Sequence, residues 1–137
     1  MNIVDSSGWI EYFFLRPNAA FFSPPIEDTE NLLVPVICLY EVFKKVNCVA
    51  DEAKALQIIA QMKQGRVMDL TEDIALKASL ISLKHKLPMA DSLILSTAIA
   101  HGALLWTQDE HFKHLPNVSF REARTKLSSV RREARRR

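Results

Sequence analysis

Three observations predict an α/β fold with a mostly parallel central sheet of four or five strands and helices on both faces. Short apolar runs recur at residues 2–5, 32–36, 66–70 and 104–107, with 118–120 as a candidate fifth. Longer stretches between them carry the 3.6-residue apolar period of helices. Capping and turn residues punctuate the joins, as parallel βα units require.

Each element follows in order. Residues 2–5 (NIVD) read as a buried strand, and Ser6 and Ser7 are good caps for a helix through Trp9, Ile10, Phe13 and Phe14. Residues 17–31 hold Pro17, Pro24 and Pro25 among acids, which predicts a loop or irregular insert. The run 32–36 is the second strand, with Pro35 at its end. Leu39, Val42, Phe43 and Val46 then form one helical stripe. Asp51 caps a helix through Ala55, Ile58, Ile59 and Met62 that closes at Gly65. After the strand at 66–70, Thr71 caps a helix whose apolar positions are Ile74, Leu76, Ala78, Ile81 and Leu83. Its first-turn Glu72 and Asp73 suit the positive helix end. Pro88 breaks that helix, and another runs from about Ala90 to Gly102, ahead of the LLWT strand at 104–107.

The net charge of +2 hides an asymmetry. Residues 1–120 carry ten basic and fourteen acidic side chains, whereas residues 121–137 carry eight basic and two acidic ones. We therefore read 1–120 as the folded domain and 121–137 as a basic C-terminal extension, the kind of asymmetry found in nucleic-acid or membrane contact. No apolar run approaches the roughly 18–20 residues that span a bilayer. The N-terminus has acids at positions 5 and 11 and no basic segment, unlike a signal peptide. Cys38 and Cys48 lack metal-site spacing and suit a reducing cytoplasm.

Four acids carry the chemistry. In open α/β sheets working groups gather outside the carboxyl ends of the strands. Asp5 ends the first strand and Asp109 follows the LLWT strand, so parallel pairing brings both to one edge. Asp91 shares a helical face with Ile94, Leu95 and Ala98, where an ionised carboxylate is costly without a cation or donors. Glu41 lies beside its apolar stripe, four residues before Lys45, and periodicity alone favours an exposed ion pair. Asp5 and Asp109 are also plausible helix or turn caps. Converging, such acids would need divalent cations, and hard oxygen ligands select Mg²⁺ or Mn²⁺. Those ions serve phosphodiester hydrolysis by an activated water.

The motifs resemble the PIN-domain ribonucleases, and among them the VapC toxins of type II toxin–antitoxin pairs. VDSS at 4–7, Glu41 in CLYEV and MADSLILSTAIAHGALLWTQDEHF at 89–112 carry the resemblance, which covers about residues 1–120. It implies a PIN-like fold and a metal-binding set of Asp5, Glu41, Asp91 and Asp109, with Ser6 and Thr107 orienting ligands or the attacking water. It is this resemblance that raises Glu41 above a surface pair. Implied too are Mg²⁺- or Mn²⁺-dependent cleavage of transfer or ribosomal RNA, a homodimer, and inhibition by a VapB-type antitoxin. Trp9, Tyr12, Phe13, Phe14, Phe21 and Phe22 are candidates for the antitoxin's apolar groove, or are simply core.

Other features are weaker. His111 and His114 lack the further ligands of a zinc site and read as a surface pair, although His111 could approach a phosphate near Asp109. Ala123, Leu127, Val130 and Ala134 allow an amphipathic tail helix, or the tail is frayed. Arg131, Arg132, Arg135 and Arg136 there, with Lys44, Lys45, Lys84 and Lys86, are candidate RNA contacts. The alternatives are a catalytically silent PIN-like module that binds a partner and a phospho-acceptor receiver domain. The receiver needs a Lys where Gln108 follows the LLWT strand.

Overall fold

The computed structural model describes residues 1–124. Five parallel strands form one sheet: β1 (Asn2–Val4), β2 (Leu32–Pro35), β3 (Arg66–Met68), β4 (Leu104–Thr107) and β5 (Val118–Phe120). Their order is β3-β2-β1-β4-β5, so the chain winds one way from β1 to β3 and the other way to β4 and β5. The switch point, where open sheets place their sites, lies between β1 and β4. These two strands pair Asn2 with Leu104, Ile3 with Leu105 and Val4 with Trp106.

Six helices cover the sheet: α1 (Ser6–Phe13), α2 (Ala19–Glu27), α3 (Val36–Val49), α4 (Glu52–Met62), α5 (Glu72–His85) and α6 (Met89–Ala100). Short 3₁₀ turns occupy Thr29–Asn31 and Glu110–Phe112. Ile3, Val4, Val34 and Leu105 are fully buried in the sheet and pack with Trp9, Phe22, Ile58, Met62, Ile94 and Leu95 from the helices. Among the described residues no helix is long and apolar enough to cross a membrane.

Several sequence expectations change. The proline-rich insert contains α2, with Pro24 and Pro25 inside it. Each proline removes a helical N–H, which ordinarily breaks a helix. Here burial of Phe22, Pro25 and Ile26 outweighs that cost, and the Asp28 N–H closes the last turn on the Pro24 carbonyl at 3.3 Å. Phe22 also presses on Gly8, where a Cβ would stand 2.6 Å from its ring. The cap of α1 is Asp5, not Ser6 or Ser7, because the strand ends at Val4. Likewise β2 stops at Pro35 and Val36 opens α3, while β3 stops at Met68.

Asp51 and Thr71 cap α4 and α5 as expected, accepting from the Lys54 and Ile74 N–H groups. Gly65 is no helix cap, since α4 ends at Met62. It instead gives room to Leu32, whose carbonyl oxygen would lie 3.0 Å from an added Cβ. On α5 only Ile74 and Ala78 of the expected stripe are buried, with Ile81 half-buried. Leu76 and Leu83 join Leu80 on the opposite, exposed side, because 74-78-81 and 76-80-83 are separate helical faces. The tail arginines Arg131, Arg132, Arg135 and Arg136 and the tail-helix expectation lie outside the described residues.

Candidate active site

The site grows from the pairing of β1 with β4. One residue past the ladder, the Asp5 N–H donates to the Trp106 carbonyl at 3.1 Å, which sets Asp5 beside Thr107. Asp5 Oδ1 accepts from the Gly8 N–H at 3.0 Å and from Ser7 Oγ at 2.8 Å, capping α1. Asp5 Oδ2 accepts from the fully buried Thr107 hydroxyl at 2.5 Å. Burial pushes the Asp5 carboxyl up to about 6, although the Thr107, Ser7 and Gly8 donors pull it down; the Asp109 charge adds to the rise.

Thr107 also reaches forward, its Oγ1 accepting from the Asp109 N–H at 3.0 Å. Asp109 then caps the 3₁₀ turn, its Oδ1 accepting from the His111 N–H at 2.9 Å. Asp91 stands in the first turn of α6 on the face shared with the buried Ile94, Leu95 and Ala98. Burial raises its pKa, the Asp109 and Glu41 charges raise it further, and His111 opposes them. Glu41 is half-buried on α3 and accepts from Ser6 Oγ at 2.7 Å. That bond replaces the expected pair with Lys45, because α3 turns this face toward the start of α1.

Thr107 thus bridges Asp5 to the Asp109 turn at the carboxyl end of the sheet, and Glu41 lies near enough to Asp91 for its charge to be felt there. His111 joins them, with Nδ1 at 3.0 Å from Asp91 Oδ2 and 3.1 Å from Asp109 Oδ1. The expectation of a His111–His114 surface pair is corrected accordingly, since the 3₁₀ turn directs His111 at the acids. The Asp109 charge, then the bond to Asp91, raises the His111 pKa. Among the described residues no Lys or Arg pairs with any of the four acids. Asp91, Asp109 and His111 offer ligand atoms within 4.8 Å of one another. Two carboxylates and an imidazole at this spacing, with no Lys or Arg paired to them among the described residues, fit a divalent cation, while Asp5 and Glu41 lie outside this ligand set.

A second network was not legible in the sequence beyond the odd placement of an acid among the aromatics of α1. Glu11 is 6% exposed and has no cationic partner among the described residues. Its Oε2 accepts from the Asn18 N–H at 3.0 Å and its Oε1 from Gln108 Nε2 at 3.2 Å. Asn18 Nδ2 donates to Gln108 Oε1 at 3.0 Å and to the Glu122 carbonyl at 2.9 Å. Gln108 is thus tied down between Thr107 and Asp109, which fixes the turn carrying both.

Of the six aromatics considered for a groove, Trp9 and Phe22 are core. Tyr12 and Phe13 line a cleft of about 230 Å³ with Ile26, Glu27, Thr29, Gln61 and Gln64. Trp9 reaches the same cleft, and its Nε1 is, among the described residues, the buried side-chain nitrogen without a partner. Phe21 packs against Trp106 and lies under the Arg121 guanidinium, and Phe14 lies under Arg16.

No curated protein matches the chain significantly by sequence. Among solved structures, a toxin–antitoxin complex from Klebsiella pneumoniae is similar with a TM-score of 0.75 and 21% identity, covering 90% of this chain and 100% of that one. VapBC2 from Rickettsia felis, bound to a DNA fragment from its promoter, gives a TM-score of 0.68 at 16% identity, covering 88% and 97%. VapC20 from Mycobacterium tuberculosis, a sarcin–ricin loop cleaving toxin, gives 0.67 at 15%, covering 80% and 92%. The PIN domain family model matches residues 3–118. The chain belongs to the PIN domain family.

Proposed function

We propose that this protein is a VapC-type toxin, a Mg²⁺- or Mn²⁺-dependent endoribonuclease neutralised by a VapB-type antitoxin. The gathering of Asp5, Glu41, Asp91 and Asp109 near the carboxyl end of the sheet carries this reading. Asp5, Asp91 and Asp109, with Glu41 completing the set, would hold the cation. When bound, such an ion orients a phosphodiester and lowers the pKa of a water for attack on phosphorus.

The chain's own residues prepare that step. Thr107 and Ser7 fix the Asp5 oxygens, Ser6 fixes Glu41, and the 3₁₀ turn fixes Asp109. Preorganised ligands avoid reorganisation at the moment of reaction. His111 offsets part of the local negative charge when protonated.

Two partner features support the same reading. The similar solved structures include VapBC complexes, and the cleft lined by Tyr12, Phe13 and Ile26 offers a seat for an antitoxin segment. The exposed Leu76, Leu80 and Leu83 face on α5 suits a homodimer, which Leu80→Glu would dissociate in sedimentation. Cytoplasmic RNA is the expected substrate, and both cysteines are free as that compartment requires.

The test is incubation of antitoxin-free protein with total RNA and Mg²⁺ or Mn²⁺, beside Asp91→Asn. Cation-dependent fragments from the wild type alone support the nuclease. Absence of cleavage by the wild type, or equal cleavage by the variant, would leave the catalytically silent partner-binding module as the better account.

A further inference from the structure

Beside the acids lies a second surface of opposite charge. A cleft of about 460 Å³ opens between α1 and α3, and Ser6 and Glu41 belong to its wall as well as to the acidic site. Apart from Glu41 its charged wall is basic, Arg16, Lys44 and Lys45, with Ser7 and Gln108 as neutral polar neighbours. Tyr40, Lys44 and Lys45 share this side of α3 with Glu41 because they follow at helical spacing. Among the described residues none of the three cations pairs with an acid, although fourteen of the chain's acids lie within residues 1–120. Tyr40 is 60% exposed, and Lys44 Nζ sits 5.8 Å from its ring centroid.

An exposed aromatic ring and three cations that pair with no acid among the described residues stand beside a carboxylate cluster, with Lys44 over the Tyr40 ring and Arg16 over the Phe14 ring as their own contacts. Nucleic acid satisfies all of them at once. Phosphates take the cations, and a base takes the ring, since every base has a π-face. Stacking on Tyr40 requires a base free of its own duplex neighbours.

We infer that the Arg16–Tyr40–Lys44–Lys45 cleft is the docking path for single-stranded RNA next to the scissile bond. The cations hold flanking phosphates and Tyr40 stacks an unpaired base, so the adjacent phosphodiester falls at Glu41 and its neighbours. The inference rests on the nuclease reading and adds to it the side chains that seat the strand beside the acids. Tyr40, Lys44 and Lys45 bind and position substrate rather than act on the reacting atoms.

Binding of a short fluorescein-labelled single-stranded RNA, and of the same strand annealed to its complement, tests this by fluorescence anisotropy across a salt series. Asp91→Asn serves as the background so that the probe stays intact. Lys44→Ala with Lys45→Ala should weaken single-strand binding about tenfold and reduce the salt slope by about one to one and a half, as loss of two phosphate contacts predicts. Tyr40→Ala should weaken single-strand binding about tenfold and leave duplex binding unchanged, whereas Tyr40→Phe should retain the single-strand preference. Lys77→Ala, on α5 and paired with Asp73, should change neither. A melting temperature unchanged from that of the Asp91→Asn background establishes that the variants fold. Wild-type affinity and salt slope in the folded cleft variants would overturn the inference even if the wild type cleaves RNA. Cleft-dependent binding by a wild type that cleaves nothing would support the cleft and count against the nuclease.

Discussion

The Thr107 hydroxyl donates to Asp5 Oδ2 at 2.5 Å, joining the first and fourth strands of the sheet at the point where their ladder ends. Thr107 Oγ1 in turn accepts from the Asp109 N–H. One side chain thereby sets the separation of two carboxylates that are more than a hundred residues apart in sequence.

Thr107→Val keeps the shape and removes both bonds. It should lower RNA cleavage about 10- to 100-fold and shift the onset of Mn²⁺ binding to higher pH, because the bond to Thr107 lowers the Asp5 pKa. Thr107→Ser should retain most activity. Cleavage assays and pH-dependent Mn²⁺ titrations of the two variants check this; equal behaviour of Val and Ser would contradict it.

The Asp5 pKa, raised from 3.8 to about 6, fixes the sign of a stability effect. A raised folded-state pKa stabilises the fold fully below pH 3.8, and that contribution is lost as pH rises through about 6. In chelator-treated protein, Asp5→Asn should therefore be more stable than wild type at pH 7.5, by up to about 3 kcal/mol. The difference should close near pH 4. Saturating Mn²⁺ should reverse the order at pH 7.5 by stabilising only the wild type. Urea unfolding at both pH values, with and without the ion, measures all three.

Gln108 ties the Thr107–Asp109 turn to Glu11 and Asn18. Gln108→Leu leaves the buried Glu11 carboxylate short of a donor, a loss of about 1–3 kcal/mol. Since the turn also carries Asp109, turnover should fall about tenfold or more even at temperatures where the variant is fully folded. Chemical denaturation alongside single-turnover cleavage separates the two effects, and full turnover by the folded variant would show that the turn holds itself.

Gly8 faces Phe22 and Val4 at distances where a Cβ does not fit, 2.6 Å from atoms of each. Gly8→Ala should destabilise the fold by about 1–3 kcal/mol through overpacking. Gly8→Ala combined with Phe22→Leu should recover part of the loss, which thermal melts would reveal.

The sequence showed the strands plainly, because buried parallel strands are continuous apolar runs, and Asp51 and Thr71 marked their helices through cap chemistry. Asp5, Asp91 and Asp109 stood out for the same reason: each is a charge where local pattern predicts burial or a strand end. Glu41 did not, since its partner Ser6 lies 35 residues away and local spacing offered only Lys45. His111 was hidden by the 3₁₀ turn that aims it at Asp91 and Asp109. The helix at 19–27 was masked by two prolines whose helical cost is offset by tertiary burial of Phe22 and Ile26. On α5 the apolar positions divide into a buried face and an exposed one, which apolar content taken without face does not separate.

In the nuclease reading, Asp5, Glu41, Asp91 and Asp109 act as one divalent-cation centre. Calorimetric titration of Mn²⁺ into wild type and into Asp5→Asn, Glu41→Gln, Asp91→Asn and Asp109→Asn tests it most directly. A saturable site is expected in the wild type, with an affinity that falls about tenfold or more in each variant, in parallel with RNA cleavage. Wild-type Mn²⁺ affinity in every folded variant would contradict it.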